Sequence, residues 1–237
     1  MVEQFRQALR VFSNSAKAKL LQRFFKTAKG EYGEGDEFLG IMVPNIRLTV
    51  KKFWRCLSLA DTVSILHSSF HEERLAALLV LVEKYRKGSE KEKEQIFRIY
   101  LKNIRRHINN WDLVDLTAPH IVGDFLKQRR KDILVRLAHS KNLWERRVAI
   151  LATFNFIYFG ECLDTLKIAK ILINDKQDLI HKATGWMLRE TGKRCSVVVL
   201  EGFLQREIKR MPRTMLRYAI ERLPEKRRLF WLKYGKR

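Results

Sequence analysis

Apolar residues recur at steps of three and four along nearly the whole chain, the spacing of one face of an α-helix. Residues 2–12 and 14–28 carry the pattern first. Pro44, a residue welcome in a first helical turn, opens a helix over about 44–56, and another follows over 58–68. The exception is Lys29–Ile41, an irregular stretch holding Gly30, Gly33 and Gly35. Glycines at that density can cradle a phosphate, but the interleaved Glu31, Glu34, Asp36 and Glu37 would repel one, and no strand pattern precedes them. Little else breaks the helices, since the 237 residues include only 4 Pro and 11 Gly.

From residue 70 the helices repeat. His71-Glu-Glu-Arg-Leu-Ala-Ala-Leu-Leu, Trp144-Glu-Arg-Arg-Val-Ala-Ile-Leu-Ala and Ile180-His-Lys-Ala-Thr-Gly-Trp-Met-Leu open three similar helices. Their basic residues Arg74, Arg147 and Lys182 lie 73 and 35 residues apart, two units and one. The missing unit falls at Asn110-Trp111-Asp112-Leu113-Val114-Asp115. Second helices follow at 91–104, about 118–137, 161–173 and 195–208, and a last pair at 212–222 and 224–234 closes the chain. Two helices in a unit of this length predict an all-α fold, an α-solenoid of HEAT/armadillo-like pairs. It is expected as a single domain over 1–237, with N-terminal helices 1–68 and repeats about 70–237.

Charge adds a partner to this fold. Lys and Arg number 48 against 26 Asp and Glu, a formal +22, and the basic residues are spread along the chain. Such self-repulsion is tolerated best beside a polyanion, so the solenoid is expected to form a concave basic groove for nucleic acid. Arg74, Arg147 and Lys182 then face that groove as DNA-backbone contacts, with Arg189 close by. Cys56, Cys162 and Cys195 are odd in number and widely spaced, which argues against a disulfide framework or a zinc site. No signal peptide or transmembrane run is apparent, and the expected location is the cytoplasm. None of the six histidines falls in a recognisable catalytic arrangement, and His120, beside Ile121-Val122, reads as a packed helix residue.

A carboxylate is the least expected group in such a groove. On a helix Trp111 and Asp115 share one face at i, i+4, while Asp112 points toward the helix start. An indole beside a carboxylate suits a flat cation. N-alkylated purines are cationic and have weakened glycosidic bonds. A carboxylate at the deoxyribose could stabilise charge at C1′ and position water, as acidic residues do in glycoside hydrolysis. Trp186 offers a second ring, whereas Trp144 reads as core. The plain alternative is that Trp111 is core and Asp115 a solvated helix residue.

The stretches Phe38-Leu-Gly-Ile with Val43-Pro44 and Arg47, Trp111-Asp112-x-Val114-Asp115, Gly123-Asp124-Phe125, Asn142-x-Trp144-x-x-Arg147 and Ala183-x-Gly185-Trp186-x-Leu188-Arg189-Glu190 occur in order. Together they resemble the AlkD-type DNA glycosylases of bacterial DNA-alkylation repair, over almost the whole chain. The resemblance implies HEAT-like repeats and excision of N3- or N7-alkylated purines from duplex DNA, by a monomer without metal or small-molecule cofactor. It implies Asp115 as the catalytic carboxylate, Trp111 and Trp186 as its aromatic neighbours, and Arg147 and Arg189 as backbone contacts. Phe24 stands where family members can carry a tyrosine, so the ring is kept and the hydroxyl lost. Two other readings stay open. One is a non-catalytic solenoid binding DNA or protein. The other is a binder of anionic membranes through 224–237, whose Phe230, Trp231 and Tyr234 sit among basic residues.

Overall fold

The computed structural model describes residues 1–235, and its regular elements are helical. In order they are α1 (Val2–Arg10), α2 (Ser15–Phe24), α3 (Val43–Phe53), α4 (Leu59–Leu66), α5 (His71–Lys87), α6 (Glu90–Asn103), α7 (Trp111–Asp115), a π-helical turn (Pro119–Gly123), α8 (Asp124–Leu126), α9 (Asp132–Ala138), α10 (Leu143–Tyr158), α11 (Leu163–Leu172), α12 (Asp178–Arg194), α13 (Val197–Glu207), α14 (Arg213–Ala219) and α15 (Glu225–Tyr234). Among the described residues no strand forms, and Glu37 and Phe70 meet in one isolated bridge. The all-α expectation holds, and the paired helices accord with an α-solenoid. Lys236 and Arg237, the end of the 224–237 segment, lie outside the described residues.

Sequence explains where the helices start. Ser58 accepts the Asp61 N–H while Asp61 accepts the Ser58 N–H, and Ser89 and Glu92 repeat this reciprocal cap. The Asn142 side chain accepts from Trp144 and Glu145 at the start of α10. One expected element is corrected. The helix over 118–137 is instead the π turn, α8 and α9, with Arg129-Arg130-Lys131 in the break. Pro119 has no N–H to give the Asp115 carbonyl, so the α-helical ladder cannot run on from α7. His120, expected to pack, is exposed on this turn.

The chain divides into two compact units, Met1–Leu113 and Val114 onward. In the first, α3, α4 and α6 pack on α5, and α1 packs on α3 and α4. Every residue of α5 from His71 to Val82 is buried, so its polar start must find partners inside. In the second, α10 receives α9, α11, α12 and the π turn, and α12 also receives α11, α13 and α14. Gly123 allows the close approach of the π turn, since a Cβ there would lie 2.3 Å from the Ala152 carbonyl oxygen. Trp144 is buried, as expected of a core residue.

Hydrogen bonds set the repeat register. Arg74 donates to the carbonyls five and six residues before it, at Ser69 and Ser68. Arg146, not Arg147, does the same to Lys141 and Ser140. Ser68 and Ser140 each accept the N–H two residues on. The expected match of Arg74 to Arg147 is therefore off by one. Arg74, Asn110, Arg146 and Lys182 recur at a constant step of 36 residues.

Candidate active site

In the first unit, α2 ends at Phe24, and Lys26 turns the chain with φ +52. This puts Phe25 inside and leaves Phe24 63% exposed. Trp111, half-buried at the start of α7, stacks on Phe25 with centroids 5.1 Å apart and planes 12° apart. Phe24 meets the same indole edge-on at 5.9 Å. Phe25 stacks in turn on Phe38, and Phe38 on the His71 ring at 4.5 Å.

Under these rings lies a buried polar cluster that the sequence did not reveal. His71 Nδ1 is 3.0 Å from Asp36 Oδ2, and its Nε2 is 2.9 Å from Asp112 Oδ2. Arg74 donates to Asp36 Oδ1 at 2.6 Å, and the Asn110 amide donates to Asp36 Oδ2 at 3.1 Å. The Asn110 carbonyl accepts the Trp111 N–H. Burial alone would lower the His71 pKa, but the Asp112 charge and the bonds to both carboxylates push it up to about 9. Burial works to raise Asp36, yet the bond with His71 and the charge of Arg74 hold its carboxyl below the usual range. Next to this cluster Glu72 accepts the N–H groups of Leu39, Gly40 and Ile41, which fixes the Phe38-Leu-Gly-Ile stretch. Glu73 receives Arg6 and Arg10. In the glycine-rich loop, Glu31 and Glu34 cap the N–H groups of Ala28 and Gly30 from exposed positions, and Asp36 is the acid that is buried. The signal for this cluster was four consecutive polar residues, His71-Glu72-Glu73-Arg74, set directly before the apolar run 75–82.

In the second unit, Asp115 is half-buried. Arg147 grips both its oxygens, Nε at 2.8 Å and Nη2 at 2.7 Å, and Nη1 donates to the Leu179 carbonyl. A guanidinium fork of this geometry matches the ionised carboxylate. Trp186 is half-buried on α12, tilted against Phe154 at 6.1 Å. Gly185 beside it lets α12 approach α14, where a Cβ would lie 2.5 Å from the Met215 carbonyl oxygen.

Two of the residues expected as backbone contacts lie inside the protein. Arg74 and Arg147 are each only 4% exposed, and both are bonded to internal partners. A carboxylate close by turned these cations inward. Lys182 pairs with Asp178 at 2.7 Å and Arg189 with Glu221 and Glu190, both from partly exposed positions. Asp112 lies in the first turn of α7, as expected, and its carboxylate is bonded to His71. Among the described residues no group of three His, Cys, Asp or Glu could hold a metal ion, and no helix is long and apolar enough to cross a membrane.

The profile of the family described as DNA alkylation repair enzyme matches residues 5–223. The chain belongs to that family. A solved structure described as a predicted DNA alkylation repair enzyme from Enterococcus faecalis is similar in fold, with a TM-score of 0.70 at 16% identity, over 90% of this chain and 97% of that one. No curated protein matches the sequence.

Proposed function

We propose that the chain is a DNA glycosylase of the AlkD type, hydrolysing the N-glycosidic bond of N3- or N7-alkylated purines in duplex DNA. Family membership supports action on alkylated DNA. The observation that carries the chemistry is the half-buried Asp115 carboxylate, held on both oxygens by Arg147.

A purine alkylated at N3 or N7 is positively charged and leaves readily. As its bond to C1′ lengthens, positive charge passes to the sugar. A carboxylate locked in orientation stabilises that charge and directs a water to C1′, with no reorganisation during the step. The Arg147 partner also lessens the repulsion an isolated carboxylate would meet from phosphates. Trp111, Trp186 and Phe24 supply ring faces for the cationic nucleotide. The +22 charge supplies sequence-independent attraction, with Lys182 and Arg189 on the phosphates in a concave groove. In this reading the protein acts as a cytoplasmic monomer on the nucleoid without a cofactor.

One observation favours a second reading. A carboxylate neutralised by a buried arginine is also what a purely structural ion pair looks like, and that would make the chain a non-catalytic scaffold. Base release from methylated duplex DNA separates the two, measured for wild type beside Asp115→Asn with the released purines identified by mass. Release of 7-methylguanine or 3-methyladenine, cut about 100-fold or more in a folded Asp115→Asn, supports the glycosylase. DNA binding with no release from either protein sinks it.

A further inference from the structure

The His71 cluster forces a choice of protonation. A neutral imidazole has one N–H and can donate to one acceptor. Here both ring nitrogens face carboxylate oxygens, at 3.0 and 2.9 Å. Asp36 already takes Arg74 and Asn110, so it stands as an ionised acceptor. An imidazolium supplies both donors from one ring, in keeping with a pKa raised to about 9.

We propose that His71 is a positioning residue, an imidazolium clamp that holds Asp112 and the Trp111 face at the start of α7; the functional part of this rests on the glycosylase reading. Two routes connect His71 to Trp111. One is ionic, since Asp112 sits in the first turn of the helix that Trp111 opens. The other is a stack of rings, His71 on Phe38, Phe38 on Phe25 and Phe25 on Trp111. Asn110 closes the circuit, donating to Asp36 and accepting from the Trp111 N–H. The second oxygen of Asp112, Oδ1, is buried without a hydrogen-bond partner, so His71 is the bond that Asp112 depends on.

The charged groups around the ring are few. Asp36 comes from the glycine-rich loop, Asp112 from α7 and Arg74 from α5 itself. On the same helix Glu73 is taken by Arg6 and Arg10 of α1, and Glu72 by loop N–H groups. His107, stacked on His67, is held below its usual pKa by burial first, then by the charges of His67 and Arg74. Among these groups the imidazolium is the one whose loss of a proton, as pH rises through about 9, leaves Asp112 without a donor.

Nitrogen-15 spectra of the wild-type imidazoles, with His71 assigned by loss in His71→Gln, test the protonation state. The expected result is two protonated ring nitrogens at pH 7.5 and a titration near pH 9. The Trp111 indole N–H resonance should move with the same midpoint, and Asp112→Asn should lower that midpoint. Single-turnover release of 7-methylguanine from methylated duplex should fall as pH rises through 9 in wild type. In His71→Gln it should be about tenfold slower at pH 7 and lack the alkaline fall, with affinity for unmodified duplex within about twofold. A neutral ring at pH 7.5 overturns the clamp, and so does a midpoint unmoved by Asp112→Asn. An unshifted Trp111 resonance, or a folded His71→Gln with wild-type rate and pH profile, overturns the positioning role. If wild type releases no base at any pH, the glycosylase reading fails, while the ring and indole titrations still decide the clamp. If His71→Gln does not fold, the wild-type and Asp112→Asn titrations decide.

Discussion

Replacing Arg147 with alanine removes the guanidinium that grips both oxygens of Asp115. Breaking a buried ion pair from one side costs about 3–5 kcal/mol, because the remaining charge is left in a poor solvent. The Arg147 side chain is 5% exposed and that of Asp115 13%, so water can reach the carboxylate and the loss sits near the lower end, about 3 kcal/mol. In a chain of this size each kcal/mol moves the melting temperature by about 2–4 °C, giving a fall of roughly 6–12 °C. Scanning calorimetry reads this directly. Binding to undamaged duplex should keep its salt dependence, whereas loss of a phosphate contact would lower the slope of log K against log salt by about 1. A variant that melts within 2 °C of wild type, with a slope reduced by about 1, would refute the internal assignment of this guanidinium.

Other consequences can be checked as simply. Glu72→Ala strands the N–H groups of Leu39, Gly40 and Ile41 and should cost about 4 kcal/mol, with trypsin cutting faster at Lys26 and Lys29. Stability should depend on pH through two groups. The raised His71 pKa gives stability that is full below 6.5 and is lost as pH climbs to about 9, a span worth about 3 kcal/mol at most. The lowered Asp36 pKa gives stability present above 3.8 and lost as pH falls below it. Denaturant midpoints between pH 3 and 10 should therefore decline at both ends, and a flat alkaline limb would contradict the His71 assignment. Of the free thiols, exposed Cys56 should react first with a maleimide. Cys195 should lag, its thiol pushed up to about 12 by burial and by its bond with Cys162.

Helices were legible because their apolar spacing and caps are local, and α3, α6 and α13 lie close to where periodicity puts them. The stretch after α7 was not, because the consequence of Pro119 and Gly123 depends on what packs against them. The repeat was legible as a period but not to the residue. Arg146 and Arg147 are adjacent cations, and only their bonds reveal that one reaches back to its loop and the other across to Asp115. The same limit governs the candidate site. Composition shows that Arg74 and Arg147 are charged, but burial with a partner is a property of two distant positions. Trp111 and Trp186 could be named from motifs, whereas His71 could not, since Asp36 and Asp112 lie 35 and 41 residues away in sequence.

The interior of this protein is negative. Among the described residues seven carboxylates are buried, at Asp36, Glu72, Glu73, Asp112, Glu145, Glu190 and Glu207, against two guanidiniums, Arg74 and Arg147. Folding thus withdraws seven acidic side chains from solvent against two guanidiniums and the His71 imidazolium, so the surface is more basic in composition than the chain as a whole. A solute approaching in dilute salt meets a net positive field, which fades over about 10 Å at 0.1 M salt. The ion atmosphere of the free protein is therefore anion-rich before any nucleic acid arrives, and displacing those anions belongs to the entropy of its first encounter with a polyanion.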